Sequence, residues 1–269
     1  MTEILEANNV RIGYGDKIIV NDLKLSIPRG KITSIIGPNG CGKSTFLKAL
    51  SRILKPISGY VYLDGKSIHK ESTKETAKRL AILPQSPDSP AGLTVHELIS
   101  YGRFPHQKGF GRLTKEDYDM IDWALEVTGL TLFRHQAVDA LSGGQRQRVW
   151  IAMALAQGTE ILLLDEPTTY LDMAHQLEIL TLLQDLNKRE KKTIVMVIHD
   201  LNHAARFSHY IAAMHAGNLI YEGDPQSVIT SHVLKDVFHI DARIIPDPEL
   251  GCPVCLSYNL LKQPIEKVV

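Results

Sequence analysis

Three cysteines in 269 residues are too few for a disulfide framework, and the plain reading is a reducing cytoplasm. An excess of either charge is also missing. Lys plus Arg number 30 and Asp plus Glu number 30, so the net charge is zero and nucleic acid finds no basic footprint. No apolar run approaches the roughly 18 residues that a membrane span needs. The opening MTEILEANNV is polar and acidic, which does not suit a signal peptide. Internal repeats, low-complexity tracts and heptad runs are absent. What remains, 44% hydrophobic and 22% charged, suits a soluble globular chain with one large domain or two small ones.

The most specific feature present is GPNGCGKST, residues 37–45. It fits G-x-x-x-x-G-K-[ST], the phosphate-binding loop. The apolar run Ile32–Ile36 precedes it, and Ser44–Leu50 follows with helical spacing. Strand, glycine loop and helix therefore meet at one point. Gly37, Pro38, Asn39, Gly40, Cys41, Gly42 and Thr45 are expected to bind the nucleotide, because glycines let the backbone turn its N–H groups inward around an anion and the helix N-terminus adds partial positive charge. Lys43 is expected to reach the β- and γ-phosphates, and Ser44 to offer its hydroxyl to Mg²⁺. The chain is expected to bind a nucleoside triphosphate.

Residues 4–27 alternate apolar and polar positions around turns at 13–16 and 21–22, which predicts antiparallel strands. Residues 59–65 read as a strand and turn of the same sheet. Four short apolar runs follow: Ile32–Ile36, Leu80–Leu83, Ile161–Leu164 and Ile194–Ile198. Helical segments lie between them, which predicts a parallel sheet buried on both faces. Polar residues stand just after each run: Lys43, Gln85, Asp165 with Glu166, and His199. Ligands gather at that edge of an α/β sheet. From Pro87 to about Gly158 the pattern turns helical, over 95–102, 115–128 and 145–156. Thr94 with Glu97 forms a capping box at the first of these. Residues 226–238 read as one surface helix, followed by a short tail.

Two further motifs carry chemistry. The run Ile161–Leu164 ends in two carboxylates. Asp165 at the strand tip can hold Mg²⁺, and Glu166 can face the γ-phosphate and orient or deprotonate the attacking water. Leu141-Ser142-Gly143-Gly144-Gln145 opens the helix of 145–156 and supplies a second anion site.

LSGGQ after a phosphate loop and before ILLLDE resembles the signature of ATP-binding-cassette ATPases, and the resemblance covers about residues 4–240. It implies an α/β P-loop NTPase core with a mainly parallel sheet, an N-terminal antiparallel β-subdomain and a helical insert carrying LSGGQ. It implies a nucleotide-binding domain over 1–240, with the insert at about 87–158, and a short C-terminal extension over 241–269. By the same resemblance Tyr14 stacks on adenine, Gln85 touches Mg²⁺ and the attacking water, and His199 bonds the γ-phosphate and holds Glu166. Asp172 belongs to a loop that communicates across a dimer. Ser142 and Gly144 bind the γ-phosphate of the opposite subunit, and Gly143 and Gln145 belong to the same nucleotide-binding segment. A homodimer would then sandwich two ATP molecules head-to-tail.

EPTTYLDMAHQ (166–176), GRFPHQ (102–107) and DPELGCP (247–253) resemble the branch that energises iron–siderophore, haem and cobalamin importers. This implies two copies on the cytoplasmic face of the membrane, docked on a permease dimer and served indirectly by a substrate-binding protein. Ferric siderophore is the leading cargo, with cobalamin or haem as alternatives. A non-transport cassette ATPase in translation or DNA repair is the alternative of another class. Tyr101 and Phe104 either face the permease or belong to the insert's core. Cys252 and Cys255 have C-x-x-C spacing but supply half of a zinc site, so incidental thiols are expected.

Overall fold

A computed structural model describes residues 3–85, 87, 90–107 and 112–261. The rest of the predicted insert and the last eight residues of the predicted extension lie outside the described residues.

Strands β1 (Glu3–Tyr14) and β2 (Lys17–Pro28) form a hairpin. The turn at 15–16 matches expectation, but Asn21 and Asp22 are no turn. They form a bulge inside β2, where Val10 pairs with Leu23 and Ile12 with Val20. Asp22 takes φ 50, and the N–H of Asn21 donates to Gly217 O at 3.0 Å instead of to the sheet. β3 (Ile32–Ile36) then enters the main sheet, and α1 (Lys43–Leu50) follows the glycine loop. β4 (Ser58–Leu63) and β5 (Lys66–Ser67) return to the first sheet, whose order is β2-β1-β4-β5. α2 (Thr73–Ala77) leads to β6 (Leu80–Leu83).

Between β6 and the next strand, the described elements are helical except for one isolated Thr94–Ala137 bridge. α3 (Val95–Ser100) carries the expected capping box on Thr94 and Glu97. It runs into a 3-10 segment over Tyr101–His106, then α4 (Lys115–Val127) and α5 (Gly143–Ala156). β7 (Ile161–Asp165), α6 (Met173–Glu190), β8 (Thr193–Val197) and α7 (Leu201–Phe207) restore the α/β alternation.

The main sheet has six strands rather than four. β9 (Tyr210–His215) and β10 (Asn218–Gly223) extend it, in the order β10-β9-β3-β8-β7-β6. All neighbours are parallel except β9 with β10. Side chains alternate between two cores. Ala81, Leu83, Leu162, Leu164, Ile194 and Met196 meet the insert, α6 and α7 on one face. Leu80, Ile161, Leu163, Val195 and Val197 meet α1 and the antiparallel sheet on the other. Burial on both faces explains why these runs are mostly apolar rather than alternating.

The C-terminal region departs most from expectation. The single helix over 226–238 is two, α8 (Pro225–Val228) and α9 (Ser231–Phe238). The Thr230 hydroxyl caps Val233 N–H and starts a new helix there. The tail is a hairpin of β11 (Ile240–Pro246) and β12 (Pro253–Leu260). Cys255 is buried in it, packed near Leu234 and Ala242, and its N–H donates to Asn202 Oδ1 at 2.8 Å. Among the described residues, no three His, Cys, Asp or Glu side chains converge as a metal site, and no helix is long and apolar enough to cross a membrane.

Candidate functional site

The parallel strands β3, β6, β7 and β8 end at one edge, and a cleft of about 760 Å³ opens there. Tyr14, Asn39, Gly40, Gly42, Lys43, Ser44, Thr45, Gln85, Glu166 and His199 line it, so most of the predicted residues converge. Gly37 and Pro38 start the loop behind the cleft wall, and Cys41 is buried against it. Gly37 has φ 150, and a Cβ there would come within 2.1 Å of Met214 O, so no other residue fits without moving β9. The N–H of Gly217, in the β9–β10 turn, donates to Cys41 O at 3.0 Å and braces the loop from behind.

Lys43 lies at the start of α1 with its ammonium over the loop. Its Nζ donates to Gly37 O at 2.8 Å and Pro38 O at 2.9 Å. Burial pulls this amine below its ordinary value, and the charges of Cys41, Glu166 and Asp165 push it back. Ser44 Oγ donates to Asp165 Oδ1 at 2.8 Å, which joins the loop helix to the tip of β7. Burial pushes the Asp165 carboxyl above its ordinary value; the Ser44 bond opposes this and the Glu166 charge adds to it.

Glu166 sits in a cage of donors. His199 Nε2 lies 2.6 Å from Oε1; Gln85 Nε2 and Thr169 Oγ1 donate to Oε2 at 2.7 and 3.0 Å. Three strand ends, β6, β7 and β8, thus fix one carboxylate. Burial alone would raise its pKa, but the bond and charge of His199 and the bonds of Thr169 and Gln85 outweigh it. The carboxyl is held below its ordinary value. Glu166 is therefore ionised at neutral pH. Oε2 is filled by two donors, whereas Oε1 keeps a lone pair for a water. The backbone of Glu166 is left-handed, φ 53, and so is that of Tyr170, φ 64. Strain of this kind persists only where the surroundings over-determine it.

Ser142–Gln145 and Asp172 are not in this cleft. Ser142 is the N-cap of α5, with its Oγ accepting from Gln145 N–H at 3.2 Å while Gln145 Oε1 accepts from Ser142 N–H at 3.0 Å. The Ser142 hydroxyl proton stays free to donate outward. Asp172 caps α6. The chain thus presents a second helix N-terminus with no role in the cleft. Sequence reasoning missed Thr169 as a partner of Glu166, and Ile19 and Tyr170 as lining residues. Thr169 and Tyr170 entered the sequence reading only within EPTTYLDMAHQ, with no role of their own. Nothing in the sequence foretold the bond.

A protein-family model described as "ABC transporter" matches residues 20–169, more than half of the chain. This chain belongs to the ABC transporter family. It is an ATP-binding, ATP-hydrolysing member, and its fold is that of the cassette. It is 64% identical to the iron(3+)-hydroxamate import ATP-binding protein FhuC of Bacillus subtilis (strain 168), over 98% of each chain. Among solved structures it resembles a metal-chelate type ABC transporter in an inward-facing conformation, with a TM-score of 0.81 and 29% identity, over 95% of this chain and 98% of that one. It also resembles the dimeric bacterial cassette MJ0796, with a TM-score of 0.73 and 32% identity, over 82% of this chain and 98% of that one.

Proposed function

We propose that the chain is the motor subunit of an importer for ferric siderophores of the hydroxamate class, working as a pair of copies on a membrane permease at the cytoplasmic face. The observation that carries the motor reading is the Glu166 cage beside the phosphate loop. Glu166 orients the attacking water through Oε1, His199 holds the carboxylate and meets the γ-phosphate, and Gln85 completes the cage. Lys43 and the N–H groups of 37–45 bind the β- and γ-phosphates, and Tyr14, half exposed at the cleft rim, stacks on the base.

Ser44 and Asp165 offer hard oxygen donors 2.8 Å apart, and Gln85 stands close by, a set that suits Mg²⁺ with its remaining positions filled by water and phosphate. When bound, that ion neutralises charge on the phosphates. The separation of Ser142–Gln145 from the cleft supports a split site, in which this segment of a second copy covers the γ-phosphate and Asp172 lies at the seam. The dimeric relative supports the same reading. ATP then binds both faces, and its hydrolysis removes the contacts that close the pair.

Permease docking is supported by a groove of about 400 Å³ between the insert and the core. Tyr101, Phe104, Pro105, Gln157, Arg52 and Ile53 line it. Tyr101 and Phe104 are exposed, which favours a docking surface over an insert core. The cargo reading rests on the iron(3+)-hydroxamate relative. A strain lacking this gene is expected to lose uptake of radiolabelled ferric hydroxamates and to keep uptake of haem and cobalamin. Retained hydroxamate uptake, with loss of haem or cobalamin uptake instead, would overturn the cargo assignment.

A further inference from the structure

His175 lies at the third position of α6, outside the cleft and outside every role given above. Two contacts single it out. Asp172 Oδ1 accepts from both its backbone N–H, at 2.9 Å, and its ring Nδ1, at 2.7 Å. On its other side the ring touches the start of α5. A Cβ on Gly144 would lie 2.6 Å from His175 Cδ2, 2.9 Å from Cγ and 3.1 Å from Nε2. Gly144 is buried and helical without positive φ, so space rather than backbone freedom requires glycine there. The imidazole is therefore wedged between the helix start that carries Ser142 and the loop that carries Asp172.

The flanks of the two segments are joined as well. Gln147 Nε2, on α5, donates to Pro167 O at 2.9 Å, one residue past Glu166. Arg148 on α5 pairs with Glu178 on α6. The Arg148–Glu178 pair holds the two helices side by side and the Gln147 bond ties α5 to the turn after β7, but neither involves Ser142–Gly144 or Asp172. His175 is the contact at the tips. We propose that His175 is a positioning residue that fixes the Ser142–Gly144 turn relative to Asp172, so that both meet the opposite copy as one preset surface. The inference rests on the split-site reading above. It adds that the two halves of the exposed face are locked together before ATP arrives. A preset face loses less conformational freedom on closure. In a head-to-tail pair the face is used twice, so a loss at each site multiplies.

The test uses the full chain carrying Glu166→Gln, which holds ATP, and measures the ATP-bound dimer constant by light scattering. His175→Ala should weaken each site about tenfold, and the dimer about 100-fold, with the monomer's melting temperature and ATP affinity unchanged. His175→Asn should restore the dimer, because its amide nitrogen takes the place of Nδ1 toward Asp172 and its oxygen the place of Cδ2 against Gly144. His175→Gln, which reproduces only the Nε2 end, should not. A dimer as tight with Ala as with His overturns the positioning role. Rescue by Gln and not Asn also overturns it, since the ring would then act by direct contact. If Glu166→Gln alone forms no ATP-bound dimer, the split-site reading fails, and this inference fails with it.

Discussion

Thr169→Val removes one donor from the Glu166 cage and changes little else. Valine matches threonine in shape, and Thr169 is partly buried, so packing is kept. The bond lost is the longest of the three, 3.0 Å against 2.6 and 2.7 Å. A hydrogen bond to a charged acceptor contributes about 1.5–3 kcal/mol, and the lower end applies here. About 1.5 kcal/mol corresponds to about tenfold in rate. The bond is made to Glu166, which orients the water in the mechanism proposed above, and not to ATP. Hence kcat should fall about tenfold while KM stays the same. The sign for acidity is also fixed: one of the groups that lower the Glu166 carboxyl is gone, so its pKa rises toward the ordinary value. Phosphate release at saturating ATP, with an ATP titration, reads both constants. An unchanged kcat would show that Thr169 does not support the carboxylate. A KM that rises in step with the loss would place Thr169 on ATP instead. Either result refutes the reasoning.

Further outcomes follow from other contacts. Lys43→Met should weaken ATP binding by about 100-fold or more, measured by titration calorimetry, because among the described residues no other ammonium lines the cleft and a desolvated charge pair contributes several kcal/mol. The Arg103–Asp117 pair is buried on both sides, with Arg103 Nη1 also donating to Ala156 O at 2.8 Å, and it ties the 101–106 segment to α4 and α5. Asp117→Asn should cost about 3 kcal/mol in denaturant unfolding, since it leaves a guanidinium buried without its counter-charge. That deficit depends on pH. Burial would raise the Asp117 carboxyl, but Thr114 N–H, Arg103 and the Thr114 hydroxyl outweigh it and hold the pKa below 3.8. The stabilisation is thus fully present above the unfolded value and is lost as pH falls through the lower folded one. Wild type and Asp117→Asn should converge only below pH 3.8; convergence between pH 5 and 6 would contradict the sign.

The parts of the structure legible in the sequence are those where backbone chemistry leaves little choice. The loop at 37–45 needs glycine where β9 approaches it, and β3, β6, β7 and β8 are mostly apolar because both faces are covered. β9 escaped notice because YIAAMH is rich in alanine and short of β-branched residues, and β10 alternates weakly at a sheet edge. The bulge at Asn21 and Asp22 resembled a turn because the same residue types tolerate left-handed backbone in both settings. The hairpin after α9 is anchored by tertiary contacts, Asn202 with Cys255 among them, which no local pattern encodes. The Gln85 and His199 assignments came from family resemblance, and the structure brings both side chains onto Glu166. Thr169 and His175 are visible only through distances.

In the proposed split site, one chain holds half of each ATP site. The direct measurement is the mass and nucleotide content of Glu166→Gln with ATP and Mg²⁺. A particle of about 60 kDa is expected, twice the 30.0 kDa chain, carrying one ATP per chain and dispersing when ADP replaces ATP. A 30.0 kDa species that binds ATP tightly and hydrolyses it in the wild type without pairing would contradict it.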